Sequence, residues 1–130
     1  MAIIKKFEDV IAWQKARTLC TKLHKLLLKE KLRRDFSYRD QLWRSAISVM
    51  SNIAEGFARS SSKEFVHFLF IASGSAAEVQ SLLYVGKDAG YVSDDEFREL
   101  YDLANEVSLL IGGLRSYLKQ RTQPARPLGN

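Results

Sequence analysis

The residue types that most often carry metal or acid–base chemistry are scarce in this sequence of 130 residues. One Glu-x-x-His motif, Glu64-x-x-His67, has the i, i+3 spacing of a ligand pair in di-iron helical bundles. Such a site needs two of these motifs and two further carboxylates, and the second histidine, His24, has Thr21 at the matching position. We therefore expect the Glu64–His67 pair to lie on a helix surface, with no metal site and no cofactor.

The remaining candidates for catalysis are equally weak. The single cysteine, Cys20, falls on an apolar helical stripe and is interpreted as a small core residue. The glycines at 56, 74, 86 and 90 are dispersed, and Gly112-Gly113 lies inside a helical segment, so no glycine-rich phosphate loop precedes a helix. The sequence thus predicts a protein without enzymatic activity.

The cysteine count and the hydropathy pattern bear on location. One cysteine cannot form a disulfide within the chain, which makes a reducing, cytoplasmic setting the expectation. No run of 18 uninterrupted apolar residues occurs, and no apolar stretch of a signal peptide follows the first residues. We expect neither a membrane span nor a membrane partner.

The positive charge is concentrated in the first half of the chain. Residues 1–63 carry 14 basic and 6 acidic residues, a net charge of +8, whereas the remainder carries −3, giving the total of +5. Such asymmetry favours an anionic partner or head-to-tail complementarity between subunits. An unevenly charged solvated surface is the alternative.

The basic residues are candidates for phosphate contacts. Four lysines fall on one face of the first helical segment, and others follow in the next stretch and in the second segment. Clusters of this kind bind a phosphate backbone largely through counterion release. The predicted contact residues are Lys15, Lys22, Lys25, Lys29, Arg33, Arg34, Arg44, Arg59 and Lys63. Tyr38 and Trp43 lie among them and could stack on unpaired bases, although we favour core packing for both.

Apolar residues recur at spacings of three and four in four segments, at about 8–31, 38–58, 62–89 and 94–119. The first 123 residues contain no proline, and the connections are short. This pattern predicts an all-α protein: a single-domain, up-down-up-down antiparallel four-helix bundle over residues 1–119. Residues 120–130, with Pro124 and Pro127, are predicted to form a flexible C-terminal tail.

Several residues are typical of helix ends and of close helix packing. Ser61 with Glu64 and Ser93 with Glu96 fit capping boxes, and Ser37 with Asp40 is a weaker capping pair. Gly90 fits the position after a helix. The run of six small residues at 72–77 would let another helix backbone approach closely.

Two features suggest contacts between subunits. A second apolar stripe on the fourth segment, formed by Leu103, Leu110 and Tyr117, indicates either a subunit contact or a wide core face. A polar stripe on the second segment, which includes Asn52 and Glu55, indicates either a hydrogen-bonded interface or a solvent face.

The stretch Ser-Asn-Ile-Ala-Glu-Gly-Phe-Ala-Arg at 51–59, followed by Lys-Glu-Phe at 63–65, resembles the signature of bacterial 23S rRNA intervening-sequence proteins. Residues 7–10, 13–16, 40–42, 71–75 with Glu78, and 90–91 are also similar to that family, so the resemblance covers about 7–118. Met50 departs from it, because the family often has proline there, and a proline would kink the helix.

The resemblance implies a four-helix bundle that assembles as a homopentameric ring and has no established enzymatic activity. A more distant similarity is to accessory proteins of diversity-generating retroelements, which work with a reverse transcriptase. Two hypotheses follow. One is an oligomer that binds RNA or DNA. The other is a protein-interaction scaffold or accessory subunit, for example a reverse-transcriptase partner, in which the basic half meets the acidic half of a neighbouring subunit or of a partner protein. In this hypothesis the second apolar stripe of the fourth segment and the acidic stretch at 94–102 matter most.

Overall fold

The computed structural model describes residues 4–122. A 3-10 turn, Phe7–Asp9, is followed by five α-helices: α1 (Ile11–Leu27), α2 (Glu30–Arg34), α3 (Phe36–Ala58), α4 (Ser62–Asp88) and α5 (Asp94–Thr122). No strand occurs among these residues, and the prediction of an all-α fold is confirmed.

The four long helices pack in the cyclic order α1, α3, α4, α5, so that each contacts two others. Contacts at both ends of a pair give the direction of the helices. Tyr38 near the start of α3 donates a hydrogen bond to the carbonyl of Leu82 near the end of α4, at 2.5 Å. Further along, the hydroxyls of Ser48 and Ser75 lie 2.8 Å apart. Neighbouring helices α3 and α4 are therefore antiparallel.

The buried side chains form two clusters along the bundle axis. One contains Leu19, Leu23 and Leu83 together with Cys20, and the other is centred on Ile53, Leu69 and Ile111. Cys20 is 7% exposed, and burial raises the pKa of its thiol to about 11. The thiol is thus protonated at neutral pH, and the prediction that Cys20 is a core residue is confirmed.

The first predicted segment is not one helix, which corrects the sequence prediction. Helix α1 ends at Leu27, Lys29 is extended (φ −61°, ψ 140°), and α2 begins at Glu30. The break redirects the chain so that Leu32 becomes fully buried in the first cluster. We attribute the break to this burial: the free energy gained by burying Leu32 offsets the helical hydrogen bonds lost between α1 and α2.

Side-chain caps mark the starts of α3, α4 and α5, whereas α1 and α2 begin without one. The predicted caps Ser61 and Ser93 both accept a hydrogen bond from the backbone N–H three residues later, at 3.1 Å. For α3 the prediction of Ser37 as the cap is wrong: Asp35 Oδ1 accepts from the backbone N–H of Tyr38 at 3.1 Å. Gly90 has φ +80° after α4, as its predicted position requires.

Helix α5 continues to Thr122, three residues beyond the predicted bundle. The first residues of the predicted flexible tail at 120–130 are therefore helical. The rest of that tail, from 123 onward, lies outside the described residues.

Small residues permit close contact between α3 and α4 at one position in particular. A Cβ added at Gly56 would lie 2.6 Å from the Cβ of Phe68. Within the small-residue run on α4, Ala72 and Ala76 are fully buried, whereas nothing lies within 4 Å of a Cβ built at Gly74. The run therefore faces neighbouring helices on one side only.

By length and composition, helix α4 is long and apolar enough to cross a membrane. In its apolar stretch of 18 residues, 33% of the residues are buried. This differs from the expectation drawn from the lack of an uninterrupted apolar run. The helix also packs against both α3 and α5. Its two helical partners account for part of this apolar surface, while Phe70, Ile71 and Val85 remain exposed.

Candidate nucleic-acid interface

Contacts with α5 divide the predicted lysine face into residues that pair with glutamates of α5 and residues that do not. Three ion pairs join the helices: Lys15 Nζ lies 3.3 Å from Glu106, Lys22 Nζ 2.5 Å from Glu99, and Lys29 Nζ 2.6 Å from Glu96. Lys15 and Lys22 are seven residues apart on α1, so they share the side of that helix that faces α5, and Lys29 follows in the break between α1 and α2. We call these three pairs the α1–α5 ladder.

The ladder matters more for charge distribution than for stability. The lysine side chains are 42–44% exposed, and exposed pairs contribute at most about 1 kcal/mol each. The pKa of Glu96 is below its ordinary value: partial burial opposes ionisation, but hydrogen bonds from Lys29 and Ser93 outweigh it. The basic and acidic halves of the chain therefore compensate each other within one subunit.

Four other cations, on α1 and α2, have no ion pair within residues 4–122. Arg17 and Lys25 are exposed on α1, and Lys31 and Arg33 are exposed on α2. We call these four residues the outer basic surface. The Arg39 guanidinium donates to the carbonyl of Arg33 at 3.3 Å, which holds the start of α3 beside α2. Of the predicted phosphate contacts, only Lys25 and Arg33 belong to this surface.

The remaining predicted phosphate contacts lie elsewhere. Arg34 pairs with Glu30 at 2.8 Å on α2. Arg44 lies on α3 in a polar cleft with Asp40 and Glu78. The last two, Arg59 and Lys63, lie where α3 ends and α4 begins, and Arg59 pairs with Glu55 at 3.3 Å. The structure thus does not bring the nine predicted residues together on one face.

The two aromatic candidates for base stacking pack inside the bundle, as we favoured. Tyr38 is 8% exposed, and burial is the main reason that its pKa rises to about 12. Trp43 is half-buried against the first cluster, with its ring 5.5 Å from that of His24. Its remaining surface lines a cleft of about 320 Å³ with Arg17 and Lys25.

The predicted subunit-contact residues have partners within the chain. Leu103 and Leu110 are half-buried against the two core clusters, which matches the wide-core-face alternative, while Tyr117 is 36% exposed. Asn52 donates to the Ser48 carbonyl at 2.8 Å, so part of the polar stripe is a network inside α3. Glu55 is engaged by Arg59, and a subunit contact through these residues stays a prediction.

A second cleft, between α4 and α5, contains residues that the sequence reasoning missed. It has a volume of about 700 Å³, and its walls include Lys63, His67 and Phe70 from α4 and Arg115 and Lys119 from α5. The sequence feature that could have indicated this cleft is the pair of cations at 115 and 119, at i, i+4 spacing. It was overlooked because the second half of the chain has a net negative charge.

No group of three or more His, Cys, Asp and Glu side chains that could hold a metal ion occurs in the described part of the chain. The Glu64–His67 motif lies at the edge of the α4–α5 cleft, where both residues are exposed. The Ser61 hydroxyl donates to a Glu64 carboxylate oxygen at 3.4 Å. The motif is thus part of a helix start.

Hydrogen bonds fix the two ends of α2 to the loop between α4 and α5. The Tyr91 hydroxyl, in the α4–α5 loop, donates to Asp35 Oδ2 at 2.8 Å. Lys29 Nζ donates to the Tyr91 carbonyl at 3.3 Å. Hydrogen bonds from the Tyr91 hydroxyl and the Tyr38 backbone lower the pKa of Asp35, and the same carboxylate raises the pKa of Tyr91.

Asp35 is therefore expected to make the stability of the protein sensitive to acid. Because its pKa is lower in the folded chain, its contribution is fully present above its ordinary value of 3.8 and is lost as the pH falls through the folded-state value. In Asp35→Asn, which retains a capping side chain, the unfolding free energy should fall less steeply below about pH 4. Urea titrations over this range check the difference, and equal slopes would contradict it.

Comparisons with known proteins agree with this architecture. A solved structure from Bacteroides thetaiotaomicron, described as a protein of unknown function from the S23 ribosomal protein family, superposes with a TM-score of 0.76 at 20% identity. The match covers 82% of this chain and 96% of the other, and at this identity it establishes the fold alone. Comparison with curated proteins gives no match. Residues 8–113 match the family described as 23S rRNA-intervening sequence protein. The chain belongs to the 23S rRNA-intervening sequence protein family.

Proposed function

We propose that this protein is a non-enzymatic oligomer that binds the phosphate backbone of RNA or DNA through the outer basic surface. The observation that carries the proposal is the uneven compensation of charge. The α1–α5 ladder engages three glutamates of α5, whereas Arg17, Lys25, Lys31 and Arg33 have no ion pair among the described residues. Cations that are not neutralised by an ion pair are the ones that can release counterions from a nucleic acid.

Contacts of this type carry no base specificity, so we propose binding that tolerates sequence. Four cations form a weak patch in one subunit. Self-assembly, proposed here as a homopentamer, would present the patch several times and raise the overall affinity through avidity. The outer face of α4 is suited to a subunit contact, because Ile71 and Val85 are 39% and 50% exposed there.

The scaffold alternative loses part of its support. It required the acidic stretch of α5 to meet a basic partner, and Glu96 and Glu99 in this stretch are already paired with Lys29 and Lys22. An accessory role beside a reverse transcriptase would still be compatible with nucleic-acid binding.

The proposal is tested by the affinity of the full-length protein for duplex DNA and for RNA of the same length, measured as a function of salt concentration. Four phosphate contacts in one subunit predict a slope of log K against log salt of about −3.6 for duplex DNA. A flat plot, or no binding at low salt, would contradict the proposal.

A further inference from the structure

We propose that the α4–α5 cleft is a second binding site, specific for unpaired nucleotides of a single strand, in which Phe70 stacks on a base and Lys63 and Arg115 contact phosphates. This site lies outside the outer basic surface and goes beyond the proposed backbone binding. It combines an exposed aromatic ring with cations from two helices, the combination used for sequence-tolerant binding of single strands.

Phe70 has an accessible ring. Its side chain is 61% exposed. The Arg115 guanidinium lies over this ring, with its Cζ 5.0 Å from the ring centroid. A base that stacks on Phe70 would therefore contact a cation and an aromatic face together, which strengthens stacking.

Arg115 is incompletely satisfied in its present position. Its Nε is buried and has no hydrogen-bond partner among residues 4–122. A buried donor without an acceptor is unfavourable, so the side chain is stabilised by moving towards an oxyanion. A phosphate that enters the cleft would supply acceptors in the geometry that a guanidinium binds best.

The electrostatics of the cleft favour an anion. Among the described residues that line the cleft, Lys63 and Arg115 face one carboxylate, that of Glu64, which accepts a hydrogen bond from Ser61. The cleft also lies beside the first turn of α4, a helix of 27 residues whose N-terminus carries partial positive charge. Its volume of about 700 Å³ is in the range of small-molecule sites and suits a nucleotide unit.

A matched control exists at the start of α3. Phe36 is 63% exposed, and the Arg39 guanidinium lies 4.8 Å from its ring centroid, but this pair does not line the cleft. Phe36→Leu removes the same aromatic surface as Phe70→Leu at a similarly exposed position. The two variants thus separate stacking in the cleft from a general effect of losing an exposed ring.

The test measures binding of a labelled oligothymidylate of about five nucleotides to the full-length protein by fluorescence anisotropy. Phe70→Leu is expected to weaken binding by about tenfold, whereas Phe36→Leu should stay within about twofold of the parent. Equal effects of the two substitutions, or no effect of Phe70→Leu, would overturn the proposal.

A second arm uses only the unmodified protein. An abasic oligomer with the same number of phosphates should bind about tenfold more weakly than the oligothymidylate, because it offers no base to stack. Equal binding of the abasic oligomer, of polyphosphate or of a phosphopeptide of equal charge would overturn base recognition. A change in native mass on Phe70→Leu would assign the ring to a subunit contact and would also overturn it.

Failure of this site and failure of the outer basic surface are distinguishable. Charge reversal at Lys25, Lys31 and Arg33 should leave the difference between the base-containing and abasic oligomers unchanged, because those residues lie on α1 and α2. If reversal abolishes that difference, the proposed cleft site is overturned.

Discussion

Gly86→Ala is expected to lower the unfolding free energy by about 3 kcal/mol, the upper end of the usual effect of overpacking. A Cβ at this position would overlap the Tyr38 hydroxyl and would lie 2.7 Å from Val92 Cγ2. Neither neighbour can move easily. The Tyr38 hydroxyl is held by its hydrogen bond to the Leu82 carbonyl, and Val92 is 4% exposed in the first core cluster.

Gly74→Ala is the matched control, since it places the same methyl group on the same helix with nothing within 4 Å. Because alanine favours a helix over glycine, we expect a gain of up to about 1 kcal/mol. Urea unfolding of both variants measures the contrast. Adding Tyr38→Phe to Gly86→Ala should recover part of the loss by removing the overlapping oxygen. Equal effects of the two glycine substitutions would show that α3 and the α4–α5 loop do not approach α4 as described.

Reversal of three cations of the outer basic surface, Lys25→Glu, Lys31→Glu and Arg33→Glu, is expected to weaken nucleic-acid binding at least tenfold (~1.4 kcal/mol). These side chains are exposed and without ion pairs in the described residues, so the fold should tolerate the change. Filter binding or anisotropy with duplex DNA at low salt measures the effect, and circular dichroism checks that the helices remain. Parent-like affinity in the folded triple variant would contradict the proposed surface.

The control for this variant is a charge exchange within the α1–α5 ladder. Lys22→Glu combined with Glu99→Lys keeps the net charge and keeps an ion pair at the same place. We expect affinity within about twofold of the parent and an unfolding free energy within about 1 kcal/mol. A large loss of binding in the exchanged variant would return Lys22 to the phosphate-binding set.

Most of the fold could be predicted because helix periodicity and capping are local properties. Ser61 and Ser93 precede a glutamate by three residues, and both cap their helices. The break at Lys29 could not be predicted in this way. It depends on the burial of Leu32 against side chains that are distant in the sequence, and no local pattern carries that information.

The candidate site could be predicted only in part for a related reason. Periodicity placed Lys15, Lys22 and Lys29 on one face of the first segment; Lys15 and Lys22 do lie on one face of α1, whereas Lys29 lies in the break after it. It could not indicate which neighbouring helix that face meets, so the glutamates of α5 remained unassigned as partners. For the same reason the α4–α5 cleft could not be predicted. Its residues Phe70 and Arg115 are in contact although they are 45 positions apart in the sequence.

We propose that the cations of the outer basic surface, and not the ladder lysines, contact phosphates. The deciding measurement is the slope of log K against log salt for duplex DNA, compared among the parent, the triple variant and the ladder exchange. Each lost phosphate contact should reduce the magnitude of the slope by about 0.9, so the triple variant should differ from the parent by about 2.7 for each subunit that contacts the DNA. The ladder exchange should match the parent. An unchanged slope in the triple variant, or an equal reduction in the ladder exchange, would contradict the claim.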